Sequence, residues 1–205
     1  MERFKQREYI EEDFSGMVVE MGELKGIKFV GCDFSGADFS EVSLVYGCTF
    51  DSCNLASSSW GGVSLRGCSF LGCTFSFAAF FATTFDNCKM TGSTFRGIEG
   101  PNIDIIGGDW SYTELRYLEF PKKEMTEVSF FGSDLTGTRF NKCKLRDCDL
   151  ADTIVNELSL RDSDIRGTCL TGVDLLSVDL KGTRVDLQQC VLLAEALGAK
   201  YVQER

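Results

Sequence analysis

The chain has 205 residues, 43% of them apolar and 25% charged, a balance that excludes a disordered tail, and no apolar run is long enough to span a bilayer. Its net charge of -10, from 31 acids and 21 bases, argues against direct binding to nucleic acid, which requires phosphates to be neutralised. Histidine is absent, so the usual general base, the commonest metal ligand and the usual physiological-pH switch are missing together.

The opening segment, MERFKQREYIEED, is charged and lacks the apolar centre of a secretory signal. From Phe14 a pattern of period five begins. It places a large apolar residue at Phe14, Val19, Leu24, Phe29, Phe34, Phe39 and Leu44. It restarts one residue out of phase at Phe50 and continues through Leu55, Trp60, Leu65, Phe70 and Phe75 to Phe95. The extra residue is assigned to 45–47. The beat is lost at Gly100, resumes at Ile105 and persists to Val185. Two residues before each centre stand small groups, and eight of the ten cysteines fall there: Cys32, Cys48, Cys53, Cys68, Cys73, Cys88, Cys143 and Cys148. Two residues after each centre glycine dominates, and the residue just before it is usually polar.

A helix repeats every ~3.6 residues and a strand every 2, so neither produces this pattern. A period of five with two inward positions needs a chain that turns a corner in every unit. Four units then close a square coil of about 20 residues, and stacked coils pair their backbones at the ~4.8 Å spacing of a sheet. Glycine at the corner suits a turn that needs positive φ.

The units GADFS, GCDFS, GCTFD, GSDLT and RDCDL resemble those of the pentapeptide repeat family, whose motif is A(D/N)LxX, over residues 12 to 186. The resemblance implies an all-β fold, a right-handed quadrilateral β-helix over 1–186, with a short C-terminal helix and dimerisation strand over 187–205. Pro101 and Pro121, one coil apart, are expected to kink one face or remove a backbone bond from it. Ile98 is expected to fill the hole left by Gly100.

After the last repeat, Asp186 and Gln189 form a capping box, and Leu187, Val191, Ala194 and Leu197 are placed along one side of a helix that Gly198 ends. Ala199 to Val202 is read as a short strand. A solenoid needs its open end covered, so capping is the plain reading of this helix. The order VDLKG, QQ, LL, LG and a short apolar strand is also similar to the tail of the Qnr-type, quinolone-resistance members. That resemblance implies a head-to-head homodimer through Leu187, Val191, Leu192, Leu197, Tyr201 and Val202. It also implies a type II topoisomerase, DNA gyrase or topoisomerase IV, as partner. The long loops of some members are absent.

The cysteine spacing is C-x4-C, unlike zinc ribbons, and Ala, Ser and Val share the column, so buried reduced thiols in a cytoplasmic protein explain it. No catalytic motif, metal site or cofactor fingerprint is present, and an axis packed with Phe leaves no pocket. Phe77, Phe81, Tyr112, Tyr117 and Phe131 fall on outward columns and are candidate partner contacts, although scattered surface aromatics are normal. Charge is sparse between residues 48 and 100 and acid gathers towards the ends. Asp104, Glu124 and Asp164 share a column with Lys144; Asp109 pairs with Asp149 and Asp134 with Asp174; Asp179 adds to them. These carboxylates are candidates for presenting charge where a DNA-binding protein expects phosphate. The competing reading is charge kept for solubility. The function expected is a non-catalytic DNA mimic that protects a topoisomerase from quinolones or a toxin. The alternative is a structural or adaptor protein with another partner.

Overall fold

The computed structural model describes residues 4–98 and 102–202. The inward beat of five sets the local backbone. At most corners, two residues after the inward centre, φ is left-handed: 67° at Gly36 and 59° at Gly72, but equally 56° at Ser52 and 60° at Tyr117. Glycine is therefore the unstrained choice for a corner conformation that most units adopt.

Between corners, short strands align with their counterparts one coil on. Four of them, Glu8–Ile10, Lys28–Val30, Thr49–Asp51 and Ser69–Leu71, form a parallel sheet on the first face. The fourth face carries a five-stranded sheet of Glu23–Lys25, Leu44–Tyr46, Ser64–Arg66, Phe81–Asp86 and Asn102–Ile106. Single bridges hold the second and third faces; one column on the second runs Asp13, Asp33, Asn54, Thr74, Thr94, Glu114, Asp134, Ile154. Phe50 stands opposite Phe70, one coil apart. The result is the four-sided, right-handed β-helix that the family resemblance implied.

The frame shift lies upstream of 45–47. Leu24 pairs with Val45, not Leu44, and Val45 is fully buried while Leu44 is only half-buried. The Val42 N–H donates to the Phe39 carbonyl as at an ordinary corner, so the surplus residue is absorbed between Phe39 and Val45. Two adjacent apolar residues made the frame ambiguous by residue type alone. Gly100 and Pro101 lie outside the described residues, so the hole and that half of the proline pair do too. Ile98 is buried as expected.

The axis is solid. Phe50 stacks on Phe70 with ring centroids 4.8 Å apart and planes 6° apart, Phe39 on Trp60 at 3.9 Å and Phe75 on Phe95 at 5.0 Å. Each such pair adds about 0.5–1.5 kcal/mol beyond area burial. The small column does more than fill space. Its side chains donate to the carbonyl of an inward residue one coil earlier: Cys73 Sγ to Phe50 O at 3.3 Å, Ser93 Oγ to Phe70 O at 3.0 Å, Ser133 Oγ to Trp110 O at 2.7 Å and Thr138 Oγ1 to Leu115 O at 2.7 Å. Cys, Ser and Thr are therefore interchangeable as donors as well as in size. All ten cysteines are free, and burial pushes the thiols of Cys48 and Cys148 up to about 11.

Both ends of the axis are plugged. At the start, Phe4 packs edge-on against Tyr9, Phe14 and Phe29. At the end, helix α1 (Leu187–Ala196) begins with the expected capping box. Its Gln189 is buried, and its Nε2 donates to Ile165 O at 2.7 Å and Thr168 O at 2.8 Å. One side chain thus replaces the donors of the coil that would have followed.

Candidate partner-binding surfaces

With the axis filled, outward columns and the two ends are what can meet a partner. Of the described residues no group of three His, Cys, Asp or Glu is placed to hold a metal ion. Among the described residues no helix is long and apolar enough to cross a membrane. A groove of about 400 Å³ on the third face, lined by Arg139, Asn141, Glu157, Ser159, Arg161 and Asp179, is shallow and open.

The eight acidic candidates are spread over all four faces. Asp109 and Asp149 lie on the first, Asp134 and Asp174 on the second, Asp179 on the third, and Asp104, Glu124 and Asp164 on the fourth. Six of them are in ion pairs. Lys123 meets Asp104 at 2.7 Å, Lys144 meets Glu124 at 2.9 Å and Arg116 meets Asp134 at 3.4 Å. Lys89 stands 3.9 Å from Asp109, and Arg161 pairs with Asp179. Asp164 is the most enclosed, held by Arg146 at 2.7 Å and Arg166 at 2.8 Å. The Arg166 hydrogen bond leads in holding its carboxyl far below the usual range, against a smaller opposing desolvation. Asp149 accepts from the Ala151 N–H and Asp174 caps a short 3-10 turn, Leu175–Ser177. The column of Glu124, Lys144 and Asp164 is in register as expected, but its charges neutralise one another along the rod.

The aromatic candidates are the more exposed set. Phe77, Phe81, Tyr112 and Tyr117 are 60–72% exposed, and Phe131 packs edge-on against Tyr112 at 5.5 Å. Phe77 and Phe81 bracket the third face of a single coil. Three of these residues, Phe77, Tyr112 and Tyr117, sit at corners with φ of 59–60°, a conformation that costs a non-glycine residue about 1–2 kcal/mol. Each ring covers the corner glycine of the next coil. A Cβ on Gly97, Gly132 or Gly137 would come within 2.6 Å of the ring of Phe77, Tyr112 or Tyr117 respectively. The pairing explains why bulky and absent side chains alternate at these corners.

At the C-terminus the helix turns Gln189 and Leu193 to the rod. Leu187, read from the sequence as lying along one side of the helix and as a dimer contact, is 75% exposed; the capping box fixes the helix so that Gln189 faces the open coil. Leu192, Leu197, Tyr201 and Val202 are exposed as well and Val191 is half-buried. No strand forms over 199–202, because the single chain offers that segment no edge to pair with.

Two signals were present but missed. Phe4 and Tyr9 continue the early beat upstream of Phe14. Lys123 occupies an inward small-residue position, where a lysine is out of place.

A search of curated proteins finds no match. Among solved structures, a trypsin-treated form of QnrB1, described as a plasmid-mediated fluoroquinolone resistance protein, superposes with a TM-score of 0.82 at 23% identity, covering 95% of this chain and 97% of that one. Full-length QnrB1 gives a TM-score of 0.70 at 22% identity over 93% and 99%. The family model for pentapeptide repeats matches in 8 copies, over residues 23–55, 61–97, 124–157 and 143–182. A repeat of five found in sequence, in backbone and in that model places this chain in the pentapeptide repeat family.

Proposed function

We propose that this protein is a non-catalytic, cytoplasmic partner of a type II topoisomerase, DNA gyrase or topoisomerase IV, and protects it from quinolones or a gyrase-directed toxin. The observation that carries the reading is the superposition on QnrB1 over nearly the whole of both chains. The exposed apolar set Leu187, Leu192, Leu197, Tyr201 and Val202 supports a homodimer, since a helix that only capped the rod would have no use for an apolar outer side. A dimer joined end to end would be a long, narrow acidic rod of a size to occupy a DNA-binding saddle.

The way it binds is not simple charge mimicry. A net charge of -10 steers a rod towards a basic groove. Six of the eight candidate carboxylates are nonetheless already paired, and paired surface charges add little to affinity. The exposed aromatics are better anchors, because aromatic side chains dominate interface energetics. A second reading, an adaptor with a partner other than a topoisomerase, is favoured by the scatter of the acids over four faces.

The test is DNA supercoiling by gyrase of the source organism, titrated with the purified protein with and without ciprofloxacin. Rescue of supercoiling at low protein supports protection. Inhibition confined to high protein supports occupation of the saddle without protection. No effect in either arm refutes the topoisomerase reading.

A further inference from the structure

The inward small column of the fourth face holds Val63, Thr83, Cys143 and Ser163, all buried, and Thr183. Lys123 stands in the same column. An ammonium group left on an apolar axis would cost several kcal/mol. Its side chain turns instead across to the preceding coil, where Nζ lies 2.7 Å from Asp104 Oδ1 and 3.3 Å from Asn102 Oδ1, and remains only 18% exposed.

At this place, among the described residues, the backbone ladder lapses. Neighbouring coils make a regular set of bonds on this face. Thr84 N–H donates to Val63 O at 3.0 Å, Lys144 N–H to Lys123 O at 2.9 Å and Asn87 N–H to Ile106 O at 2.8 Å. The counterpart from Gly107 N–H to Thr126 O is not made, and no bridge joins Asp104 to Glu124, so the two bonds that Ile105 N–H and Glu124 N–H would contribute are not both in place. The five-stranded sheet ends at Asn102–Ile106, and a separate two-stranded sheet begins at Glu124–Thr126. The first and second faces of the same two coils stay bonded. Met90 N–H donates to Asp109 O at 2.7 Å, Gly92 N–H to Ser111 O at 3.1 Å and Phe95 N–H to Glu114 O at 3.0 Å.

We infer that the rod is hinged here: it pivots on the bonded first and second faces and opens on the fourth, with Lys123 as both the wedge that parts the coils and the latch that limits the opening. The lapse is not on the proline face, where Phe120 N–H donates to Arg139 O at 2.8 Å and Lys122 N–H to Asn141 O at 3.1 Å, but on the face that follows it. The hinge divides the rod into an N-terminal half carrying Phe77 and Phe81 and a C-terminal half carrying helix α1. It sets the angle between them, whatever the partner.

Amide hydrogen exchange on the full-length protein tests this, read by NMR or mass spectrometry. In the wild type, Ile105, Gly107 and Glu124 should exchange at least about tenfold faster than their ladder-bonded equivalents Phe85, Asn87 and Lys144. Lys123→Met should speed exchange at Gly107 and Glu124 further, by about tenfold, and leave the strands Thr49–Asp51 and Ser69–Leu71 unchanged. Lys123→Thr, which restores the residue type of the column, should slow Glu124 to the rate of Lys144. Equal protection of the two sets in the wild type overturns the hinge, with no variant needed. A Lys123→Met effect spread evenly along the rod overturns the latch.

Discussion

Gly72→Ala and Gly137→Ala differ mainly in what the new methyl group meets, and so separate backbone strain from packing, while Gly108→Ala adds a backbone obstacle at a wider φ. All three glycines are left-handed, at φ of 59°, 67° and 99°. At Gly72 a Cβ has nothing within 4 Å. Strain alone then applies, about 1–2 kcal/mol. At Gly137 the same Cβ would lie 2.6 Å from Tyr117 Cε1, so the ring must swing off the corner. Tyr117 is 64% exposed and can move into solvent, which adds about 1 kcal/mol, for a total of about 2–3 kcal/mol. At Gly108 the obstacle is the Cys88 backbone, with its nitrogen at 3.0 Å and its carbonyl oxygen closer. That oxygen accepts the ladder bond from Asp109 N–H, so relief requires opening the coil, and the cost should exceed about 4 kcal/mol. Urea unfolding followed by circular dichroism should give the order Gly72, Gly137, Gly108 in rising cost. Adding Tyr117→Ala to Gly137→Ala should return the cost to that of Gly72→Ala. Equal values for Gly72→Ala and Gly137→Ala, or no relief in the double variant, would refute the ring-over-glycine corner.

Gln189→Ala should destabilise the chain by about 2–3 kcal/mol in thermal melts, because it strips the donors from the Ile165 and Thr168 carbonyls and removes half of the capping box. Cys73→Ser should be close to neutral, whereas Cys73→Ala should cost about 1 kcal/mol, since only the alanine leaves the Phe50 carbonyl without its donor. Asp164→Asn should cost about 1–2 kcal/mol at pH 7, a modest figure because both arginine partners are about half exposed. Its folded carboxyl is held far below the ordinary value of 3.8, so the stability it provides is complete well above that pH and declines as pH falls below it. Denaturant midpoints at pH 7 and pH 3 should therefore show the wild-type advantage over Asp164→Asn shrinking at pH 3.

The architecture was legible because a single periodicity carries it. Phe50, Phe70, Phe75 and Phe95 could be placed on the axis from spacing, and so could the column of Cys and Ser. What those columns do was less legible. Cys73 looks like a small hydrophobe in sequence, and its bond to a carbonyl 23 residues earlier appears only when coils are stacked. Leu44 and Val45 are equally apolar, so the frame at that corner depends on a backbone bond from Val42 that composition does not encode. The tail shows the same limit. Asp186 and Gln189 were readable as a capping box, but the second role of Gln189, on the open coil, depends on where the last coil ends.

The acidic columns make the sharpest case. Reading every twentieth residue puts Glu124, Lys144 and Asp164 in line, and the register is as read. What the list of acids omits is the basic partner one or two positions away on the adjacent coil. Lys123 lies 19 residues after Asp104, Arg116 lies 18 before Asp134 and Arg146 lies 18 before Asp164, so a cation offset along one coil reaches a carboxylate on the next. In a solenoid such a pair is as close as two residues one turn apart on a helix. Counting charge by column therefore overstates the field of the rod, and pairs across the coil step determine how much remains. By that measure the exposed rings at the corners, held left-handed at an energetic cost and with glycine beneath three of them, are the less expected feature of this surface and the stronger candidates for contact.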